Sequence, residues 1–466
     1  LLTTLRHPEQ TRAQIQQMSD QIVADLATRA ATAVTLSEQI ALYHEMLEVT
    51  FPVVIPTFVP TVAGGMAPFK LLEKLAKSVG HDALVLMRGL PHNVTTEMDL
   101  ALWHTAQQIK ADETAASHFS ATEAAQLAAD YLAGELPPAT QTAVAQFLTQ
   151  YGMRGLAEID IGRPRWREEP APVMQSLQSY LRLDDPTRAP DVMFARGAAE
   201  AEAAIDNLVT ALRQTPLGPF KAHLAQAAAI RLRALAGLRE SPKFLIIRLF
   251  GIVRDGFLAC GQTLADAGVL ESADDLFFLH VAELEQLAQG VERDWRGVIH
   301  GRRQLYAQEK RRRQIPRLLL SDGRAYYEGI TALTDETAEA GVLVGSPVSP
   351  GVVEGRVQVV LDPYSTQLAP GDILVCPGTD PSWTPLFLTA VGLVMEVGGL
   401  MTHGSVVARE YGIPAVVGVH QATTRLQTGQ HIRVDGTNGR ITIQDMNGVP
   451  HKKTATSSDE IAASNS

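Results

Sequence analysis

The sequence predicts a multidomain α plus α/β protein, with a mainly helical region followed by a smaller β/α domain. Three observations predict it. The chain has 466 residues, enough for two or three domains with large cores. Up to about residue 335, apolar side chains recur at three- and four-residue steps, the period of an amphipathic helix. From about Val342 onward, short β-rich runs bounded by glycine replace that pattern.

The helical period is clear in "TRAQIQQMSDQIVADLATRAATAVTLSEQIALYHEMLEV", "AAEAEAAIDNLVTALRQ" and "PFKAHLAQAAAIRLRALAGLRE". Proline and glycine punctuate it in "FPVVIPTFVPTVAGGMAPF", "GELPPATQ", "GRPRWREEPAP" and "QTPLGPF". The first of these stretches reads as a buried connection between helices, or as the lining of an apolar pocket for a bulky ligand. The strand region contains "GVVEGRVQVVL", "GDILVCPG", "GLVMEVGG", "PAVVGV" and "HIRVDGTNGRITI", and its Asp435-Gly436 and Asn438-Gly439 pairs mark tight turns. These patterns give expected domains at residues 1–335 and 336–446. The polar, turn-rich "DGRAYYEGITALTDETAEAG" is expected to link them, and residues 447–466 are expected to form a disordered tail.

Composition narrows the function classes. A formal net charge of −11 argues against a nucleic-acid partner. The two cysteines, Cys260 and Cys376, have no metal-ligand spacing and suit a reducing, cytoplasmic setting. No apolar run reads as approaching the roughly 20 residues of a membrane span, and no membrane partner is expected. The chain opens on Leu1 rather than Met, so it reads as part of a longer polypeptide.

The chemistry concentrates in "GGLMTHGSVVAREYGIPAVVG", residues 398 to 418. Thr402 reads as an N-cap whose hydroxyl accepts from a first-turn amide, and Gly412 with Pro414 as the helix stop. His403 then falls at the first helical position, where unpaired amides and the positive dipole end favour an anion. Gly398 and Gly399 would let the backbone approach a ligand closely. A neutral imidazole there has the physics of a phosphohistidine. On spacing alone, a capping or packing histidine is the alternative.

This stretch resembles the phosphohistidine segment of the phosphoenolpyruvate-utilising enzymes. The glycine pair, Thr-His-Gly, Ala-Arg-Glu and Gly-Ile-Pro-Ala occur in the family's order. Within that family the likeness is closest to the rifampin phosphotransferases. It extends to "GTDPSWTPLFLTAVGLVMEVGG", "GLPHNVTTEMDLALW", "YGMRGLAEIDIGRPRW", "LRESPKFLIIRLF" and "ADDLFFLHVAEL", and so covers most of residues 40 to 445. The resemblance implies a dikinase cycle. ATP phosphorylates the histidine with its β-phosphoryl group, leaving AMP and phosphate, and the histidine domain swivels to deliver that group to a hydroxyl. It implies His403 as carrier, Thr402, Gly404 and Gly399 as its support, and Arg239 and Lys243 at the transfer site. Nothing in the chain resembles the family's ATP-grasp domain. ATP and Mg2+ are therefore expected on such a domain in cis or in trans, with none bound by this chain alone. The expected acceptor is a bulky, hydroxyl-bearing, rifamycin-like molecule.

Other polar residues have plainer readings. Asn93 or Thr95 caps a helix after His92, with Glu97 nearby. Arg154 and Glu158 form a helical ion pair. Arg163-Pro164-Arg165-Trp166 makes a turn with an aromatic anchor, and Arg248 and Arg254 serve packing. Arg409 and Glu410 either orient the carrier or form an exposed pair. Two other functions compete. One is a phosphoenolpyruvate-synthase-like enzyme with a different small substrate, disfavoured because no barrel domain follows. The other is a non-catalytic module that has lost phosphotransfer.

Overall fold

The computed structural model describes residues 2–183, 185–312, 316, 318–326, 341–363, 366, 368–379, 383–400 and 402–444. Most of the expected linker, residues 327–340, and the expected tail lie outside the described residues. The chain divides into two compact units, one over Leu1–Ile315 and the other over Pro316–Thr379 and Trp383–Ser466. The first is mainly helical and the second contains a mixed sheet.

Helices of the first unit begin and end where local chemistry dictates. Thr35 and Glu38 form a reciprocal capping box at the start of Leu36–Glu45. Asn93, and not Thr95, caps Val94–Lys110, accepting from Thr95 N at 3.1 Å. Gly134, at φ +74°, closes Ala124–Ala133. One core of this unit gathers Ile40, Met46, Val54 and Phe58 with Leu245, Leu249, Val253 and Phe257 from the helix Ser241–Asp266.

The stretch "FPVVIPTFVPTVAGGMAPF" corrects the reading of a connection. It lies within a single helix, Phe51–Lys77, which carries Pro56, Pro60 and Pro68 inside it and follows a π-helical turn at Met46–Thr50. Each proline removes one i→i−4 bond. The helix persists because Val54, Phe58, Phe69 and Leu72 are buried, and tertiary packing outweighs local propensity. Read as one helical stretch, Leu36–Lys77 is long and apolar enough, by length and composition, to cross a membrane. The sequence reading expected no apolar run to approach that length; core helices pass the same test of length and composition, and this helix buries Val54, Phe58, Phe69 and Leu72.

Gly64 and Gly65 allow a close approach on this helix. A Cβ on Gly65 would lie 2.8 Å from the Ala236 backbone, and one on Gly64 3.0 Å from Leu235 Cδ1. The 3-10 turn Ala236–Glu240 is therefore seated against the helix. On its other side, a Cβ on Gly237 would lie 2.2 Å from the Pro91 carbonyl oxygen.

In the second unit, Leu318–Leu319 (β1) pairs antiparallel with Ala325–Tyr326 (β2). Among the described residues, eight further strands form one sheet. They are Val342–Val344 (β3), Ser346–Ser349 (β4), Val352–Val359 (β5), Asp372–Cys376 (β6), Gly392–Met395 (β7), Ala415–Val417 (β8), His431–Asp435 (β9) and Arg440–Gln444 (β10). The order is β3-β10-β9-β5-β6-β7-β8-β4, with β5 to β8 parallel and the flanking pairs antiparallel. Strand β6 is buried throughout, as expected of a parallel strand covered on both faces. Leu374 and Cys376 join Leu393, Met395, Phe387, Val407 and Ala408 on one face. Ile373 and Val375 join Val394, Val416, Leu426 and Ile441 on the other.

Candidate functional site

His403 is placed by a β-α-β crossover. Strand β7 ends at Met395, a glycine-containing loop follows, and the helix His403–Glu410 leads to β8. The loop is anchored at its start by Glu396 N to Cys376 O at 3.1 Å and Val397 N to Pro377 O at 2.9 Å. His403 therefore stands beyond the carboxyl end of a parallel strand, the position where open α/β sheets commonly place ligands.

His403 is the first residue of its helix and is half-buried. The first intrahelical bond runs from Val406 N to Thr402 O at 3.0 Å. The amides of Gly404 and Ser405 therefore have no intrahelical acceptor. Thr402 is the N-cap residue, with extended backbone, but its hydroxyl makes no bond to a helix amide. This corrects the capping expectation. Thr402 Oγ1 instead lies 2.9 Å from Gly399 O and 3.0 Å from Ser405 Oγ, and Ser405 Oγ donates to Gly399 O at 2.8 Å. The two hydroxyls hold the loop on the Gly399 carbonyl, which leaves the first-turn amides to other acceptors.

The glycines have distinct roles. A Cβ on Gly404 would lie 2.4 Å from Thr379 Oγ1 and 2.8 Å from Met395 Sδ. A Cβ on Gly398 would lie 2.9 Å from Val417 Cβ. Both are required by packing. Gly399 is open among the described residues, with none of their atoms beyond its chain neighbours within 4 Å of such an atom. Of the pair expected to admit a ligand, only Gly399 is open.

Arg409 is buried, 1% exposed, and donates through Nη1 to Val348 O at 3.0 Å and Leu400 O at 2.7 Å. It ties β4 and the glycine-containing loop to the helix His403–Glu410, and neither it nor the buried Glu410 is an exposed pair. The cysteines are buried and free, and burial raises both thiols above the ordinary value.

Arg239 and Lys243 belong to the helical unit. Arg239 lies in the 3-10 turn Ala236–Glu240 and pairs with Glu240. Lys243 sits in the first turn of the helix Ser241–Asp266, and its Nζ lies 2.8 Å from Glu158 Oε1. A cation near a helix N-terminus works against the helix dipole, and here a carboxylate pairs with each of the two. Arg154 Nη1 lies 3.2 Å from Glu158 Oε1, but Arg154 and Glu158 lie in irregular turns, so their pair is not a helical one. The Arg154 guanidinium stands 5.0 Å over the Phe244 ring, and the Tyr151 ring is 6.0 Å from it. Burial, with Glu97 adding to it, pushes the Tyr151 hydroxyl up to about 12. Arg248 pairs with Asp20 at 2.8 Å. The buried Arg254 bonds Glu168, Asp274 and the Ile161 carbonyl. Sequence reasoning paired Glu158 with Arg154 alone, since only the fold brings residue 243 to the two of them. Among the described residues no group of three or more His, Cys, Asp or Glu could hold a metal ion.

Comparison with known proteins agrees with this layout. Residues 57–240 match the family model described as the rifampicin phosphotransferase fourth domain, and residues 368–439 match the mobile domain of PEP-utilising enzymes. The chain is 39% identical over 390 residues to the rifampicin phosphotransferase of Streptomyces sviceus, which is 83% of this chain and 44% of that protein. It is 36% identical over 374 residues to that of Bacillus subtilis, 80% of this chain and 42% of the relative. With the relative from Bacillus cereus the figures are 37% over 385 residues, 82% and 44%. The chain thus spans less than half the length of these relatives.

Proposed function

Because this chain is homologous to the rifampicin phosphotransferases over 80–83% of its length, we propose that it is the phosphoryl-carrying and acceptor-binding part of an ATP-dependent dikinase. The observation that carries this reading is His403 at the first position of its helix, beside the open Gly399, within the segment matched by the mobile-domain model. In this reading ATP is the donor, held with Mg2+ by an ATP-grasp domain outside residues 1–466, in cis or in trans. One turnover uses ATP, water and the acceptor hydroxyl and yields AMP, inorganic phosphate and the phosphorylated acceptor.

The residues of this chain have defined parts in that cycle. A neutral His403 ring nitrogen has the lone pair to accept the phosphoryl group. The first-turn amides of Gly404 and Ser405 favour the negative charge that then resides on the ring. Arg239 and Lys243, on the helical unit, stabilise charge on the group as it passes to the acceptor hydroxyl. The acceptor is a bulky rifamycin-like molecule held by the helical domain, residues 1–335. The domain over residues 336–446 swivels between donor and acceptor, because one imidazole cannot reach sites on two separate domains at once.

The test supplies the ATP-grasp portion, in cis or in trans, with ATP labelled at the β-phosphate. Label is expected on the chain in an acid-labile, base-stable form and should discharge when rifampicin is added. His403→Ala should abolish labelling. Arg239→Ala and Lys243→Ala should label normally but discharge about a hundredfold more slowly, the scale of losing one positioned charge stabiliser. Persistent labelling of the His403 variant would overturn the carrier role. A labelled wild type that rifampicin cannot discharge would overturn the acceptor.

A further inference from the structure

We infer that Glu158 is a positioning residue for Lys243, an inference that rests on the transfer role proposed for that lysine. Glu158 is 2% exposed, whereas the Lys243 side chain is 40% exposed. One oxygen, Oε1, meets both cations, Lys243 Nζ at 2.8 Å and Arg154 Nη1 at 3.2 Å. The other, Oε2, is buried with no hydrogen-bond partner among the described residues. Most buried polar atoms find a partner, so each exception calls for an explanation. Leaving one unsatisfied is a cost that calls for a purpose.

The backbone beneath Glu158 carries a second sign of the same kind. Ala157, immediately before it, has φ +55°, a left-handed conformation that alanine seldom adopts. Such a residue persists where its surroundings over-determine it, and these positions cluster at functional sites. Here the surroundings are explicit. The fully buried Arg165 donates Nη1 to Glu158 O at 2.6 Å, and Asp160 N donates to Ala157 O at 2.9 Å. Arg154 is fixed in turn over the ring of Phe244, the residue after Lys243.

The physical need is evident from the lysine itself. Its ammonium rides on a flexible four-carbon stem and has three N–H donors. Unanchored, it would spread over many rotamers. A rigid carboxylate from below engages one donor and leaves the others for an incoming phosphoryl oxygen. Glu158 then acts through Lys243 and touches neither phosphoryl group nor acceptor.

The experiment uses the full chain with its ATP-grasp portion, charged from ATP labelled at the β-phosphate, and follows single-turnover discharge to rifampicin. Wild type, Glu158→Gln, Lys243→Ala and the double variant are compared. Glu158→Gln is expected to accumulate label on His403 and to discharge it about ten- to a hundredfold more slowly. The rifampicin concentration for half-maximal rate should stay unchanged. On the Lys243→Ala background, Glu158→Gln should have no further effect, the non-additivity expected of residues acting as one. A Glu158→Gln variant that discharges like wild type overturns the inference. So does one that slows Lys243→Ala by the same factor as wild type, since that marks a structural role independent of the lysine. Should Glu158→Gln not fold, Glu158→Asp keeps the charge but shortens the reach, and it is expected to slow discharge in the same way. Normal discharge by Lys243→Ala would instead refute the role of the lysine, and the inference with it, while His403 labelling would leave the carrier role standing.

Discussion

At the scale of single residues, burial decides which charges are structural and which are poised. Arg165, Arg254 and Arg409 are each at most 1% exposed, and they donate to carbonyls and carboxylates of their own unit. Lys243 differs, because its carboxylate is buried and its ammonium is not. Asp99 is a third case. It is buried with the Tyr180 hydroxyl donating to it, and desolvation raises its carboxyl from the usual 3.8 to about 7. The folded state therefore binds the proton more tightly than the unfolded state. Its contribution to stability is intact below about pH 4 and is lost as pH rises through about 7, on the order of 4 kcal/mol over that window. Asp99→Asn keeps the acceptor for Tyr180 and has no proton to lose. Denaturant titrations at pH 5 and pH 8 should show the variant gaining on wild type at pH 8. An equal difference at both values would place the Asp99 carboxyl outside that window.

At the scale of elements, close approaches fix the two candidate sites. The turn bearing Arg239 is seated on Gly65 and under the Pro91 carbonyl, and the helix His403–Glu410 is seated on Thr379 and Met395 through Gly404. Gly404→Ala would put a methyl 2.4 Å from Thr379 Oγ1 and 2.8 Å from Met395 Sδ. Overpacking of this kind costs about 1–3 kcal/mol. The helix mouth would also shift against the loop held on Gly399. Thermal denaturation should show the loss, and labelling of His403 should fall with it. A Gly399→Ala change meets no atom of a non-adjacent described residue within 4 Å, so it is expected to leave stability unchanged. Reduced labelling in that variant would then report on the open face itself. Unchanged stability in Gly404→Ala would show that the helix tolerates the displacement.

At the scale of the whole molecule, the helical unit and the sheet unit have separate cores. Separate cores suit the proposed movement of the histidine domain between partners, since its own packing would have to survive each move. The polar, turn-rich composition of residues 322–341 predicts that limited proteolysis cuts there and leaves two resistant pieces. Mass spectrometry of the fragments checks this. Early cuts spread through β5 to β8 would refute the boundary.

Much of this protein was legible in its amino-acid order. Helical and strand periods are local properties, so the change of texture near Val342 was visible without a fold. The carrier helix was legible for the same reason, because Thr402, His403, Gly412 and Pro414 act within a few residues of one another. The prolines of Phe51–Lys77 misled because their local effect is to break helices, while burial of Val54, Phe58, Phe69 and Leu72 overrides it. Thr402 misled because its hydroxyl has a nearer acceptor, Gly399 O, whose position depends on how the loop closes. Glu158 was read only as a partner of Arg154, because its second partner, residue 243, is remote in sequence. Hydrophobic period and capping are written into neighbouring residues. The pairing of a buried carboxylate with a distant lysine, and the open side of one glycine among three, exist only once the chain has packed.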